Sequence, residues 1–218
     1  MAASYVTFGS YNSRVDFHLD FIHREISPPA PKTATVNIPL AHGILDLTQR
    51  LTGTEPIFNN RNIDLAFELR SMRSAWMTDY ANIMQCLHGR VLNVTLSNDS
   101  AYYWNGRVTV GMLEDHGFTA GITISIDAFP FKWKNTSTTV GTYTLNSTVK
   151  TVTFTISDQL ALPEFSTSGT ANIEYNGQIF AASSSVLSPP GMLLKKGSCT
   201  VKLTGSGSCT FRYRGGAL

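Results

Sequence analysis

Charge is scarce in this sequence. Asp, Glu, Lys and Arg together make up 15% of the 218 residues, against about a quarter in an ordinary soluble domain. The net charge is +2, and no Lys/Arg run exceeds the pair Lys195-Lys196. The basic patch or stripe that marks a nucleic-acid-binding face is therefore missing. Cysteine is equally sparse. Cys86, Cys199 and Cys209 are an odd, widely spaced set, which builds neither a disulfide framework nor a metal-binding group and suits a reducing place of synthesis. No apolar run approaches the roughly 20 residues of a membrane-crossing helix. The opening MAASYVTFGSYNSR is polar, so neither a secretory leader nor a membrane partner is expected.

The motifs that carry chemistry are absent too. There is no G-x-S-x-G, no H-E-x-x-H and no phosphate loop ending in Gly-Lys-Ser/Thr, so no nucleophile, zinc or nucleotide site is expected. Gly205-Ser206-Gly207 opens like a dinucleotide fingerprint but lacks the third glycine. Asp16, His18 and Asp20 would point to one side of a strand and could gather an ion. The same alternation fits a strand facing solvent or a subunit, and no second ligand cluster accompanies it. His88 follows a helical stretch, where a cation complements the helix dipole. The expectation is a protein that is not an enzyme, with no catalytic residue, no cofactor and no metal.

What the chain does contain is alternation. Val15, Phe17, Leu19 and Phe21 recur at period two within Arg14 to Arg24, which predicts a half-buried strand. After the Pro-rich turn Pro28-Pro29-Ala30-Pro31, Ala34, Val36, Ile38 and Leu40 alternate again. His42 to Asn62 is turn-forming and polar, and Ile63, Leu65, Phe67 and Leu69 mark the next one-sided strand. A single helix is predicted where Trp76, Tyr80, Ile83 and Leu87 fall on one face, capped by Ser71 or Ser74 and ended by Gly89.

Beyond the helix, Leu92, Val94 and Leu96 alternate, and Asn98-Asp99-Ser100 reads as a turn. Asn105-Gly106 between β runs predicts a hairpin. Just before it, Tyr102, Tyr103 and Trp104 are candidate interface or recognition aromatics, or simply cross-strand packing. Ile122, Ile124 and Ile126 close this half.

Lys134 to Gly141, KNTSTTVG, carries no periodicity and is read as a linker, dividing the chain into domains 1–133 and 134–218. The second should be all-β, with turns at Asn176-Gly177 and Pro189-Pro190-Gly191. Near its end GSCTVKLTG, Gly197 to Gly205, recurs as GSCTFRYRG, Gly207 to Gly215. Two arms of one hairpin, joined by a three-residue loop, would place Cys199, Val201, Leu203, Cys209, Phe211 and Tyr213 on one face.

Taken in order, these segments resemble a known family. VTFGSYNS is followed by a strand and a Pro-rich loop, Leu45-Asp46-Leu47-Thr48, and Asn60-Arg61-Asn62-Ile63 leading into a strand. The helix comes next, with Leu87-His88-Gly89-Arg90, Tyr102-Tyr103-Trp104-Asn105-Gly106-Arg107, and the close Cys209 to Leu218. The order and spacing are similar to those of siphophage distal tail proteins.

The resemblance implies a mainly β chain: an N-terminal tail-tube-like β-sandwich or barrel with one α-helix, and a C-terminal galectin-like β-sandwich. It implies a homo-hexameric ring at the virion tail tip, made in the bacterial host cytoplasm. Its partners would be the major tail (tube) protein, the tape-measure protein and a tail-associated fibre or lysin protein, with DNA passing through the lumen without specific binding. Asp46 and Arg61, in the two most family-like motifs, are expected to form a partly buried ion pair. The competing expectation is a carbohydrate-binding, lectin-like module.

Overall fold

The computed structural model describes residues 4–40, 42–48, 50, 55–183, 186–189 and 191–218. The protein is mainly β, and it divides into two compact units: residues 1–99 with 104–130, and residues 100–103 with 131–218.

The first unit contains β1 (Val6–Phe8), β2 (Tyr11–Asn12), β3 (Leu19–Ile26), β4 (Thr35–Val36), β5 (Leu45–Asp46) and β6 (Arg61–Leu69). Helix α1 (Trp76–Leu87) follows, then β7 (Val91–Leu96), β8 (Tyr102–Asp115, whose first two residues belong to the second unit) and β9 (Ala120–Ala128). The main antiparallel sheet runs β2-β1-β7-β8-β9-β6-β3. Period-two burial makes it one-sided: Ile63, Leu65, Phe67 and Leu69 of β6 and Ile122, Ile124 and Ile126 of β9 all enter one core.

Helix α1 closes that core with the expected stripe. Trp76, Ile83 and Leu87 are buried, and the half-buried Tyr80 donates its hydroxyl proton to the Gly111 carbonyl at 3.0 Å. Its start differs from expectation. A 3-10 turn, Arg73–Ala75, leads in, and the N-cap is Ala75, with no side-chain cap bond. Ser71 instead offers its carbonyl to the Trp76 indole N–H at 2.9 Å. Gly89 does adopt the left-handed backbone, φ +76°, that ends the helix.

Three predicted β features resolve differently. Strand β3 begins only at Leu19, because residues 13–16 form a turn tied by the Asn12 side chain, which accepts from the N–H groups of Arg14 and Val15. Val15 is consequently exposed. The alternation through Ala34 to Leu40 yields only the two-residue β4, paired with β5 in a separate ribbon. Asn105-Gly106 is not a turn. It lies inside β8, where Gly106 faces Leu92 on one side and Ala128 on the other. A Cβ on Gly106 would approach the Asp127 carbonyl oxygen to 2.5 Å, so this glycine serves close strand approach rather than positive φ.

The second unit comprises β10 (Lys132–Lys134), β11 (Thr138–Asn146), β12 (Lys150–Thr167), β13 (Thr170–Tyr175), β14 (Gln178–Ser183), β15 (Val186–Leu187) and β16 (Leu194–Ala217). The expected linker is largely strand: β11 begins at Thr138, so exposed threonines on a half-solvated strand had read as loop. Asn176-Gly177 forms the predicted β13–β14 turn, with φ of 49° and 78°. Of the Pro189-Pro190-Gly191 turn, Pro190 lies outside the described residues, and Met192 N–H donates to the Pro189 carbonyl at 3.1 Å.

The repeated segment is not a hairpin. Both copies lie on the single strand β16, which passes through Gly205 and Gly207 at φ of 142° and 86°. The first copy pairs with β13 and the first half of β12, with Val201 opposite Val152. The second pairs with β11 and the second half of β12, with Phe211 opposite Phe165. The six alternating residues are nevertheless all buried, as the repeat demands. Phe154, Phe165 and Phe211 form the aromatic centre of this core.

The low charge of the sequence has a structural counterpart. Cross-strand hydroxyl pairs cover the outward positions: Thr142–Thr210 at 2.9 Å, Ser168–Ser208 at 3.0 Å, Thr170–Ser206 at 3.1 Å and Thr153–Thr200 at 3.2 Å. Such pairs stabilise a sheet modestly without any ionic group.

Candidate functional site

The polar residues singled out from sequence do not converge. Asp16 accepts from the Asn12 backbone N–H at 2.6 Å. His18, at φ 54°, faces Asp79 at 3.5 Å, and Asp20 lies 3.6 Å from Arg14 and 3.4 Å from Arg70. Among the described residues no cluster of three metal-ligating side chains exists. His88 accepts from the Val110 N–H through Nδ1 at 3.2 Å. This bond fastens the imidazole to β8.

Asp46 and Arg61 are not brought together. The Asp46 carboxylate accepts from the Thr48 side chain and backbone, at 2.8 Å from the latter, and these bonds hold its pKa below the usual carboxylate range. Arg61 is buried at the start of β6, and burial lowers its pKa. Among the described residues no ion pair joins the two.

The aromatic cluster is split by function. Trp104 packs in the core of the first unit. Tyr103 is buried in the second unit, and burial raises its phenol pKa, with Arg214 opposing and Glu164 adding. Only Tyr102 is partly accessible, and it carries the Lys132 ammonium 4.4 Å from its ring centre. The cluster is mainly packing, with no open stacking platform.

The surface feature that sequence reading missed is a groove in the first unit, about 460 Å³, between α1 and β8. Its walls are Trp76, Met77, Tyr80, Met112 and Leu113. At its rim Arg73 pairs with Asp115 at 2.7 Å and lies over the Trp76 ring at 5.8 Å. Met77 and Met112 stand 69% and 78% exposed. Met77 follows Trp76 on the helix, off the buried stripe. Met112 sits in the register shift between Val110 and Leu113 of the β8–β9 ladder, where the extra residues turn apolar groups outward. An apolar residue off the helical stripe was the available signal.

No family model matches the chain, and no curated protein matches it. A solved structure does. The chain is similar to the SPP1 Dit protein, whose structure is presented as a paradigm of the hub adsorption apparatus in phages infecting Gram-positive bacteria. The TM-score is 0.57 at 11% identity, and the superposition covers 99% of each chain. At that identity the likeness is one of fold, and it extends through both units.

Proposed function

We propose that this chain is a structural ring subunit of the tail tip of a long-tailed phage or phage-like particle. In this reading six copies join the tail tube to the adsorption apparatus. The observation that carries it is the fold likeness to a phage hub protein over 99% of both chains. The order of sequence motifs suggests the same family. The partners are the major tail protein on one side, the tail-associated fibre or lysin protein on the other, and the tape-measure protein within. The protein acts in the virion tail tip without catalysis, and DNA passes the ring without base recognition. The low charged fraction, 15% of the residues, supports a subunit that lives among protein neighbours. A glycan-stacking role draws no support from Tyr103 and Trp104, which are buried.

The test is native mass spectrometry with negative-stain microscopy, on the full chain alone and mixed with the tail-tube protein. A sixfold ring near six times 23.8 kDa is expected. A strict monomer that ignores the tube protein and binds a glycan array would overturn the reading.

A further inference from the structure

Arg61 holds a positive charge inside the first unit with no negative group paired to it. The residue opens β6, and the alternating burial of that strand puts it on the same face as Ile63, Leu65 and Phe67. Its side chain is 8% exposed, and its Nε is fully buried with no hydrogen-bond partner. Across the sheet, its neighbours in the same row are Ala128 on β9 and Gly106 on β8. These small residues leave room on that face for an arginine stem.

The carboxylates of the neighbouring pairs stand on the other face. Asp64 accepts from the Asn62 amide at 2.6 Å and the Ser125 hydroxyl at 2.5 Å. Asp127 is opposite Asn62 and Glu25 is opposite Asp64, so both share that outward side. Among the described residues no ion pair includes Arg61. The residues outside that set contain no Asp or Glu. A guanidinium withdrawn from water without a counter-charge is unfavourable, and burial already acts against its charge.

The missing partner has a definite chemistry. A guanidinium is planar, and its paired N–H donors match the two oxygens of a carboxylate. The basic side chains of the neighbouring strands are engaged elsewhere. Arg24 donates to Asn98 at 2.7 Å, and Arg107 donates to the Gly89 carbonyl at 2.5 Å. One positive charge is in place, which balances a carboxylate and not the nearly doubled charge of a phosphate group.

We propose that Arg61 is a preformed carboxylate-binding site, completed by one carboxylate from outside the chain. Two sources share this chemistry: a free small acid, and the Asp or Glu side chain of a docked protein. The site follows from the sheet of a single chain and does not depend on the ring reading.

The experiment begins with the full chain, labelled with nitrogen-15, and acetate as the probe against chloride at constant ionic strength. The Arg61 Nε–H resonance, assigned by its loss in Arg61→Met, should move downfield and saturate as acetate is added. Arg61→Met keeps the length of the stem and removes an uncompensated charge, so it should melt at or above the wild-type temperature. Arg61→Lys keeps the charge without the fork and should bind acetate more weakly. A second arm, in acetate-free buffer, mixes wild type and Arg61→Met with the tail-tube protein. Weakening of that complex by about tenfold or more in Arg61→Met assigns the site to a protein carboxylate. An acetate response with an unchanged complex assigns it to a free small acid. Failure of the wild-type chain to bind the tube protein counts against the ring reading alone, and the acetate arm then decides the site. A resonance indifferent to acetate, with no loss of binding in Arg61→Met, would overturn the proposal. A marked fall in the Arg61→Met melting temperature would overturn it too, since the guanidinium would then be satisfied within the fold.

Discussion

Phe165 and Phe211 stack with ring centres 4.6 Å apart and planes 9° from parallel, and they sit directly opposite each other on β12 and β16. Phe154 meets Phe211 edge-on at 4.8 Å. Phe211 is thus held by rings from both halves of β12. Phe211→Ala should cost about 3–5 kcal/mol, while Phe154→Leu, at a half-buried position, should cost less. Urea unfolding of the two variants checks the order.

Gly106 has no room for a side chain. An added methyl would meet the Asp127 carbonyl oxygen at 2.5 Å and the Ala128 Cα at 2.7 Å, both of them backbone atoms that cannot rotate away. Gly106→Ala should destabilise by about 1–3 kcal/mol. The control is Gly89→Asn, at a positive-φ site with nothing within 4 Å, where the change should be small. Thermal melts of both proteins decide this.

The three cysteines are free thiols. Burial pushes the Cys199 and Cys209 thiols above their ordinary value, although Tyr175 and the Lys195 backbone lower Cys199 somewhat. A buried neutral thiol is inert. Iodoacetamide should therefore label only the half-buried Cys86 in the native protein and all three after unfolding. Native labelling of Cys209 would show that the second unit opens readily.

Lys134 donates to Asp158 at 2.8 Å, and this bond, aided by the Asp158 charge, raises the ammonium pKa against the effect of burial. A lysine whose folded pKa is raised stabilises the fold fully below its unfolded value, about 10.4, and loses that contribution as pH climbs through the folded value. The stability difference between wild type and Lys134→Met should be constant from pH 7 to 9 and close above about pH 10.5. Partial exposure of both groups keeps the effect small. Melts across this range measure it.

Much of the fold was legible because burial follows period. The Trp76, Ile83 and Leu87 stripe, the β6 and β9 alternations and the six buried positions of the C-terminal repeat were all correctly placed on apolar faces. Pairing was less legible. Cys199 to Leu203 and Cys209 to Tyr213 have the composition of hairpin arms, but their partners are β12, β13 and β11, which local pattern does not reveal. Asn105-Gly106 failed for a related reason, since glycine serves both tight turns and close strands. Leu40 shows the opposite error: it continues an alternating pattern, yet it stands fully exposed among the described residues. The groove stayed invisible because Met77 and Met112 meet only through the helix-on-sheet packing.

Strand β16 also has a consequence for biosynthesis. Its 24 residues contact elements of the second unit that all precede it in the chain. While a ribosome is still making residues 131–193, β11, β12 and β13 lack their common neighbour and expose their edges. The first unit, apart from the short segment 100–103, needs nothing synthesised after Pro130 and is free to fold during translation. Nascent chains should therefore pass through a stage with one half folded and the other half sticky. Premature termination anywhere before Leu194 would leave that stage permanent and mark the fragment for host chaperones and proteases.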